Sequence, residues 1–139
     1  MDVKLVKGSD PKFAELITKT NMASYYDTRG IVWGHDQFLR SWDELDNYEV
    51  YVDDIRIGVV RFSYTSETTF LRDLQILTEH QGRGFGSRCL DLVIEHANSQ
   101  ASDQLVLRVF SENPAIELYQ SKGFKKISEV KGLLKWSCN

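Results

Sequence analysis

Cysteine is scarce: two in 139 residues, Cys89 and Cys138, in no CxxC or Cys/His spacing. That excludes a disulfide framework and a thiolate metal site, and it predicts two free thiols in a reducing compartment, the cytoplasm. No apolar run approaches the roughly 18 residues of a membrane span, and the opening MDVKLVKGSD has no apolar leader core. The expectation is a protein with no membrane partner. Basic charge is not in excess either: 17 Lys and Arg stand against 20 Asp and Glu, a net charge of −3. The basic footprint of a nucleic-acid binder is therefore missing. Repeats, low-complexity tracts and linkers are absent as well, which at this length predicts one domain over residues 1–139.

Glycine is concentrated at one place. Gln81-Gly82-Arg83-Gly84-Phe85-Gly86 lies between an apolar strand-like stretch, Leu74–Leu77, and a helix-like one, Phe85–Ala97. At such a junction the first helical N–H groups lack carbonyl partners and carry the positive end of the helix dipole, so the turn suits an anion. Glycine lets the main chain come close and take up positive φ. An ordinary strand-to-helix loop can have the same composition.

Val3–Lys7 reads as a short strand. Ser9-Asp10-Pro11 is a helix start, a capping side chain followed by proline, and Phe13, Leu16, Ile17 and Met22 carry that helix from Pro11 to about Ala23. Tyr25-Tyr26-Asp27-Thr28-Arg29-Gly30 breaks the pattern, and a second helix follows over His35–Leu45. Tyr48–Val52 and Ile55–Tyr64, parted by Asp53-Asp54, read as a hairpin, with Thr68–Leu77 as the third strand of a meander. Beyond the glycine turn, Phe85, Cys89, Leu90, Val93, Ile94 and Ala97 form one apolar helical stripe. Leu105–Phe110 reads as a strand buried on both faces. Asn113-Pro114 starts and Gly123 stops a short fourth helix, and Phe124–Val130 with Leu133–Trp136 close the chain as a hairpin. The order β-α-α-β-β-β-α-β-α-β-β predicts an α/β fold, a mixed and mostly antiparallel sheet of about seven strands with helices on both faces.

Two nucleotide sites are excluded. No Gly-Lys followed by Ser or Thr is present for a P-loop. A dinucleotide fingerprint begun at Gly84-Phe85-Gly86 would put Cys89 at its third small position, with no acidic residue closing a following strand. Leu74-Gln75-Ile76-Leu77 followed by Gln81–Gly86 instead resembles motif A of the GCN5-related N-acetyltransferase (GNAT) family, Gln/Arg-x-x-Gly-x-Gly/Ala. Asn113-Pro114-Ala115 with Leu118-Tyr119 and Gly123-Phe124 resembles that family's motif B. The element order matches along the whole chain, the front third in architecture only.

The resemblance implies the acyl-CoA N-acyltransferase fold and an acetyl-coenzyme A-dependent N-acetyltransferase. Such an enzyme moves acetyl to a primary amine by direct attack in a ternary complex, with acetyl-CoA as co-substrate and no metal. It implies a pyrophosphate site on Gln81, Gly82, Arg83, Gly84, Phe85, Gly86 and Ser87, with Arg83 and Arg88 available to add charge, and a pantetheine arm paired with the main chain of Ile76 and Leu77. The thioester would lie in a splayed gap between that strand and Leu105–Phe110. Asn113 is implied as a coenzyme contact, a role compatible with capping the fourth helix. Tyr119 is a core aromatic by its spacing and the general acid by resemblance, since a phenol near pKa 10 can protonate a leaving thiolate.

The attacking amine must be neutral, which at pH 7 costs roughly 4 kcal/mol for a lysine-like amine about three units below its pKa. Asp73 stands nearest to the carboxylate that family members use as base; Glu67, Glu44, a water, or no side-chain base are the alternatives. His80 and His96 read as surface residues. Tyr25, Tyr26, Trp33 and His35, with Trp42 and with Asp27, Asp36 and Glu44 beside them, have the composition of a site for an organic cation. Residues 1–70 carry 8 basic and 12 acidic side chains against 9 and 8 in 71–139, which points to a cationic small-molecule or peptidic amine as acceptor. The same residues also fit a catalytically silent coenzyme- or amine-binding module. A monomer or a homodimer is expected, with the closing hairpin as a candidate contact.

Overall fold

A computed structural model describes residues 2–139. The elements in chain order are β1 (Val3–Lys7), α1 (Pro11–Thr28), α2 (His35–Glu44), β2 (Asp46–Val52), β3 (Ile55–Tyr64), β4 (Thr68–Ile76), a 3-10 turn (Thr78–His80), α3 (Phe85–Ser99), β5 (Gln104–Phe110), α4 (Ile116–Ser121), β6 (Lys125–Val130) and β7 (Leu133–Cys138). The seven strands form one sheet in the order β1-β2-β3-β4-β5-β7-β6. Every neighbouring pair is antiparallel except β4 and β5. The parallel pair is where α3 crosses over, as a parallel connection requires. The predicted element order and mixed sheet are those of the structure.

Two apolar layers sandwich the sheet. Phe85, Cys89, Leu90, Val93 and Ala97 of α3 pack with Val50, Ile57, Val60, Phe62, Leu71 and Leu107 in the larger one. Each such side chain contributes roughly 1.5–3 kcal/mol on burial. On the other face Ala14 and Ile17 of α1 meet Phe38 of α2 and Val59 of β3, with Trp33, Trp42 and Leu77 around them. Among the described residues no helix is long and apolar enough to cross a membrane. Cys89 and Cys138 are both free thiols; burial pushes the Cys89 thiol up to about 12.

Two of the boundaries that differ from those predicted have a visible cause. Asp10 caps α1 as expected, its carboxylate accepting the Phe13 N–H at 3.1 Å, but the helix runs on past Ala23 to Thr28. Tyr25 and Tyr26 are held in helical conformation by rings from elsewhere, Phe110 and Trp33 respectively. Gly30, at φ +64°, then ends the run. The fourth helix begins at Ile116 rather than beside Pro114, because Asn113 Oδ1 accepts the Ala115 N–H at 2.9 Å and builds a turn first.

Candidate active site

The parallel ladder between β4 and β5 runs only from Thr68 opposite Gln104 to Leu71 opposite Leu107. Beyond it β4 continues with β3 as far as Ile76 and β5 with β7 as far as Phe110. Arg72 is an extra residue in β4, between Leu71 opposite Phe62 and Asp73 opposite Arg61. A bulge of this kind bends and twists its strand. The two strands part into a wedge that holds a cavity of about 520 Å³, the size of a ligand site. This is the splayed gap expected from the sequence.

Alternation along the strands sends side chains to both faces. Leu71, Leu107 and Val109 join the core under α3 and α4, whereas Phe110 turns to α1 and stacks on Tyr25 at 5.8 Å between centroids. On the α3–α4 side the lining continues with Gly86, Asn113, Pro114, Leu118 and Tyr119, and on the α1 side with Asn21, Tyr25, Arg72, Asp73, Gln75 and Arg108.

The glycine turn has the geometry that its composition suggested. Gly82 and Gly84 sit at φ +76° and +83°, a region that costs other residues roughly 1–2 kcal/mol. A Cβ at either would meet nothing within 4 Å, so this space stands open to a ligand. Gly84 is the N-cap of α3 and brings no capping side chain. Among the described residues none of the main-chain N–H groups from Gly82 to Ser87 finds an acceptor. Six orphaned donors at a helix N-terminus make a cradle for an anion. Gln81 and Gly86 line the cavity itself, while Arg83 and Arg88 are exposed.

The Ile76 carbonyl accepts the side-chain amides of Asn21 and Gln81 at 3.0 and 2.9 Å, on the side of the strand away from β3. Leu77, expected as the second main-chain partner, is tied inward. Its N–H donates to Ile57 O at 2.8 Å and its carbonyl accepts the His80 N–H at 2.9 Å. Of the two expected partners, only Ile76 turns its carbonyl to this edge.

Tyr119 is 8% exposed and packs edge-on against Phe124. Burial, with the negative charge of Asp73 adding to it, pushes the phenol up to about 12. It holds its proton at any working pH. Asp73 accepts from Arg61 Nη1 at 3.2 Å and from Gln75 Nε2 at 3.4 Å. Burial raises its carboxyl above the ordinary range, against the opposing pull of Arg61. Arg61 is 2% exposed and is fastened by Asn47 Oδ1 at 2.9 Å, Ser41 Oγ at 2.6 Å and the face of Phe38. It thus ties Asp73 to α2. Sequence reasoning passed over Arg61; the signal was an arginine set within the apolar run Ile57–Phe62 of β3.

The expected acceptor set divides. Tyr25 lines the cavity. Tyr26 packs on Trp33, and burial and then the Asp73 charge raise its phenol, which places it close behind the wall. Trp33 and His35 do not line the cavity: both turn to Glu15 of α1, Trp33 Nε1 donating at 2.9 Å and His35 Nδ1 lying at 2.9 Å. Glu67 and Glu44 are exposed and away from the lining. Of the other front-half acids, Asp10 and Glu49 pair with Arg56 and Asp46 with Lys7. Asp73 is the one carboxylate among the described lining residues. His96, read as a surface residue, instead stacks on Phe62 at 4.3 Å.

A thialysine N-epsilon-acetyltransferase of Bos taurus is 32% identical over 85 residues, 58% of this chain and 48% of that protein. The chain thus spans about half the length of that curated relative. Its fold is similar to the PaiA N-acetyltransferase of Thermoplasma acidophilum in complex with coenzyme A, at 14% identity, TM-score 0.74 and coverage of 99% and 98% of the two chains. It is similar also to the Campylobacter jejuni N-acetyltransferase PseH in complex with acetyl coenzyme A, at 23% identity, TM-score 0.72 and coverage of 99% and 98%. Residues 44–126, more than half of the chain, match the family model described as an acetyltransferase (GNAT) domain. With the wedge, the glycine cradle and the fold in agreement, the chain belongs to the GNAT acetyltransferase family.

Proposed function

We propose that residues 1–139 form one catalytic domain that transfers acetyl from acetyl-coenzyme A to a primary amine. One observation carries this reading: a protonated phenol on one face of the sheet and a half-buried carboxylate on the other meet at the same wedge, beside six orphaned N–H groups. The names of the relatives support it, since the Bos taurus protein is an N-acetyltransferase and two structural neighbours hold coenzyme A or acetyl coenzyme A.

Gly82–Ser87 hold the pyrophosphate by main-chain donation, Ile76 offers its main chain to the pantetheine arm, and Asn113 borders the same wall. Bound acetyl-coenzyme A supplies the thioester. Asp73 takes the proton that the incoming ammonium must lose, directly or through a water, offsetting the roughly 4 kcal/mol cost of neutralising it. Its raised carboxyl makes it a better proton acceptor than an exposed aspartate, while Arg61 opposes that rise and holds it in place. The amine nitrogen forms the new bond to the acyl carbon, the carbon–sulfur bond breaks, and Tyr119 gives its proton to the departing thiolate. Calorimetric titration with acetyl-coenzyme A, followed by thiol release over an amine panel, tests the reading. Micromolar binding with amine-dependent release is expected. Absence of binding at millimolar ligand would overturn it, and binding without turnover by any amine would leave only a binding module.

A further inference from the structure

We propose that the acceptor carries a carboxylate as well as its amine, and that Arg72 and Arg108 grip that carboxylate. This rests on the acetyltransferase reading and names its substrate class, an amino acid or similar amino carboxylate. The two arginines are the first residues past the last rung of the parallel ladder, one on each separating strand, and both line the cavity. They stand at the closed end of the wedge, Arg72 next to Asp73 in sequence.

Three arginines earlier in the chain are held differently. Arg29, Arg56 and Arg61 each have a carboxylate partner, Glu112, Asp10 and Asp73 respectively. Among the described residues Arg72 and Arg108 have none: Arg72 donates to Ser63 Oγ at 2.8 Å and lies over the Phe70 ring, and Arg108 makes no ion pair. Lys135 stands directly opposite Arg108 on β7, so three cations occupy three adjacent strands. Like charges placed opposite each other weaken a sheet. Burial and then the charge of Arg108 lower the proton affinity of Arg72, a sign that the two are close neighbours.

Two guanidinium forks match a carboxylate in geometry and charge. A bare polyamine meets the reverse, since Asp73 is the one lining carboxylate and is already paired. The acidic front half therefore does not choose the acceptor. A zwitterion fits both poles: its carboxylate on Arg72 and Arg108, its amine toward Asp73 and the thioester.

The test pairs amino acids with the amines that their decarboxylation leaves, such as lysine with cadaverine and ornithine with putrescine. For the wild-type protein, kcat/KM for the best amino acid is expected to exceed that of its paired amine more than about tenfold, through KM. The variant R72Q/R108Q should erase that preference by raising KM for the amino acid alone, with the paired amine and the acetyl-coenzyme A Kd unchanged. Equal use of amino acid and amine, or equal damage to both in the variant, overturns the inference while leaving the transferase reading intact. Transfer to no amine of either class, with coenzyme bound, overturns both. Single substitutions to lysine check the fork: a point charge should restore the preference only in part.

Discussion

On the α3–α4 side of the sheet the cavity is walled by main chain and apolar groups, Gly86, Ile76, Leu118 and the phenol of Tyr119, with the Gly82–Ser87 donors next to it. On the α1 side it is walled by charged and amide side chains, Arg72, Asp73, Gln75, Arg108 and Asn21. The first wall recognises a ligand by the shape and polarity common to any peptide backbone, and suits a constant partner. The second recognises by side-chain identity, which single substitutions can change without disturbing the sheet. A transferase with one donor and a family-variable acceptor needs that division.

Substitutions on each wall can break the comparison. The largest effect is expected for Tyr119→Phe, which should lower kcat about 10³-fold while acetyl-coenzyme A binds within about twofold by calorimetry, because only the proton is removed. Asp73→Asn should lower kcat/KM about 10²-fold at neutral pH. The sign of its pH dependence follows from burial: the carboxyl is raised above its ordinary range, so wild-type kcat/KM falls as pH drops through that raised value. The asparagine variant should lose this acid limb in a pH–rate profile, and a wild-type profile retained in the variant would remove Asp73 as the base. A melting curve accompanies this variant, because Arg61 loses its ion pair.

Gly84→Val tests the other wall. The residue sits at φ +83° with open space around it, so the damage is conformational and of roughly 1–2 kcal/mol. The coenzyme Kd should weaken about tenfold, with acceptor KM unchanged, in a Kd-against-KM comparison. The smallest effect is expected for His35→Ala, since His35 is exposed and its ring is turned to Glu15. Its kcat/KM should stay within about twofold and its urea midpoint should move by no more than an exposed pair is worth, below about 1 kcal/mol. A tenfold loss of activity there would return His35 to the acceptor site.

The same division decides what could be read before folding. The glycine turn announces itself because the conformations it needs are forbidden to other residues, and its partners lie within a few positions. Tyr119 and Asn113 are picked out by the resemblance to motif B, since spacing alone reads Tyr119 as a core aromatic and Asn113 as a cap. Arg61 stays hidden, since its role depends on β4 being bulged at Arg72 and on Ser41 of α2 reaching it. Trp33 and His35 were drawn to the site by composition, yet Glu15, some 20 residues earlier and one turn beyond Pro11, claims both. The end of α1 was misplaced for a related reason: Tyr25 is helical because Phe110, far along the chain, stacks on it.

The parting of β4 from β5 leaves two strand edges inside a sheet, where solvent-facing edges normally invite pairing with any passing chain. Here the two edges share a closed apex at Leu71 and Leu107, so a strand cannot run through the seam from end to end. Asn21 and Gln81 blunt one edge further by occupying the Ile76 carbonyl. A ligand that enters as an interior strand must share that carbonyl with two amides, which makes the seam a filter for amide-bearing molecules and a poor seed for aggregation.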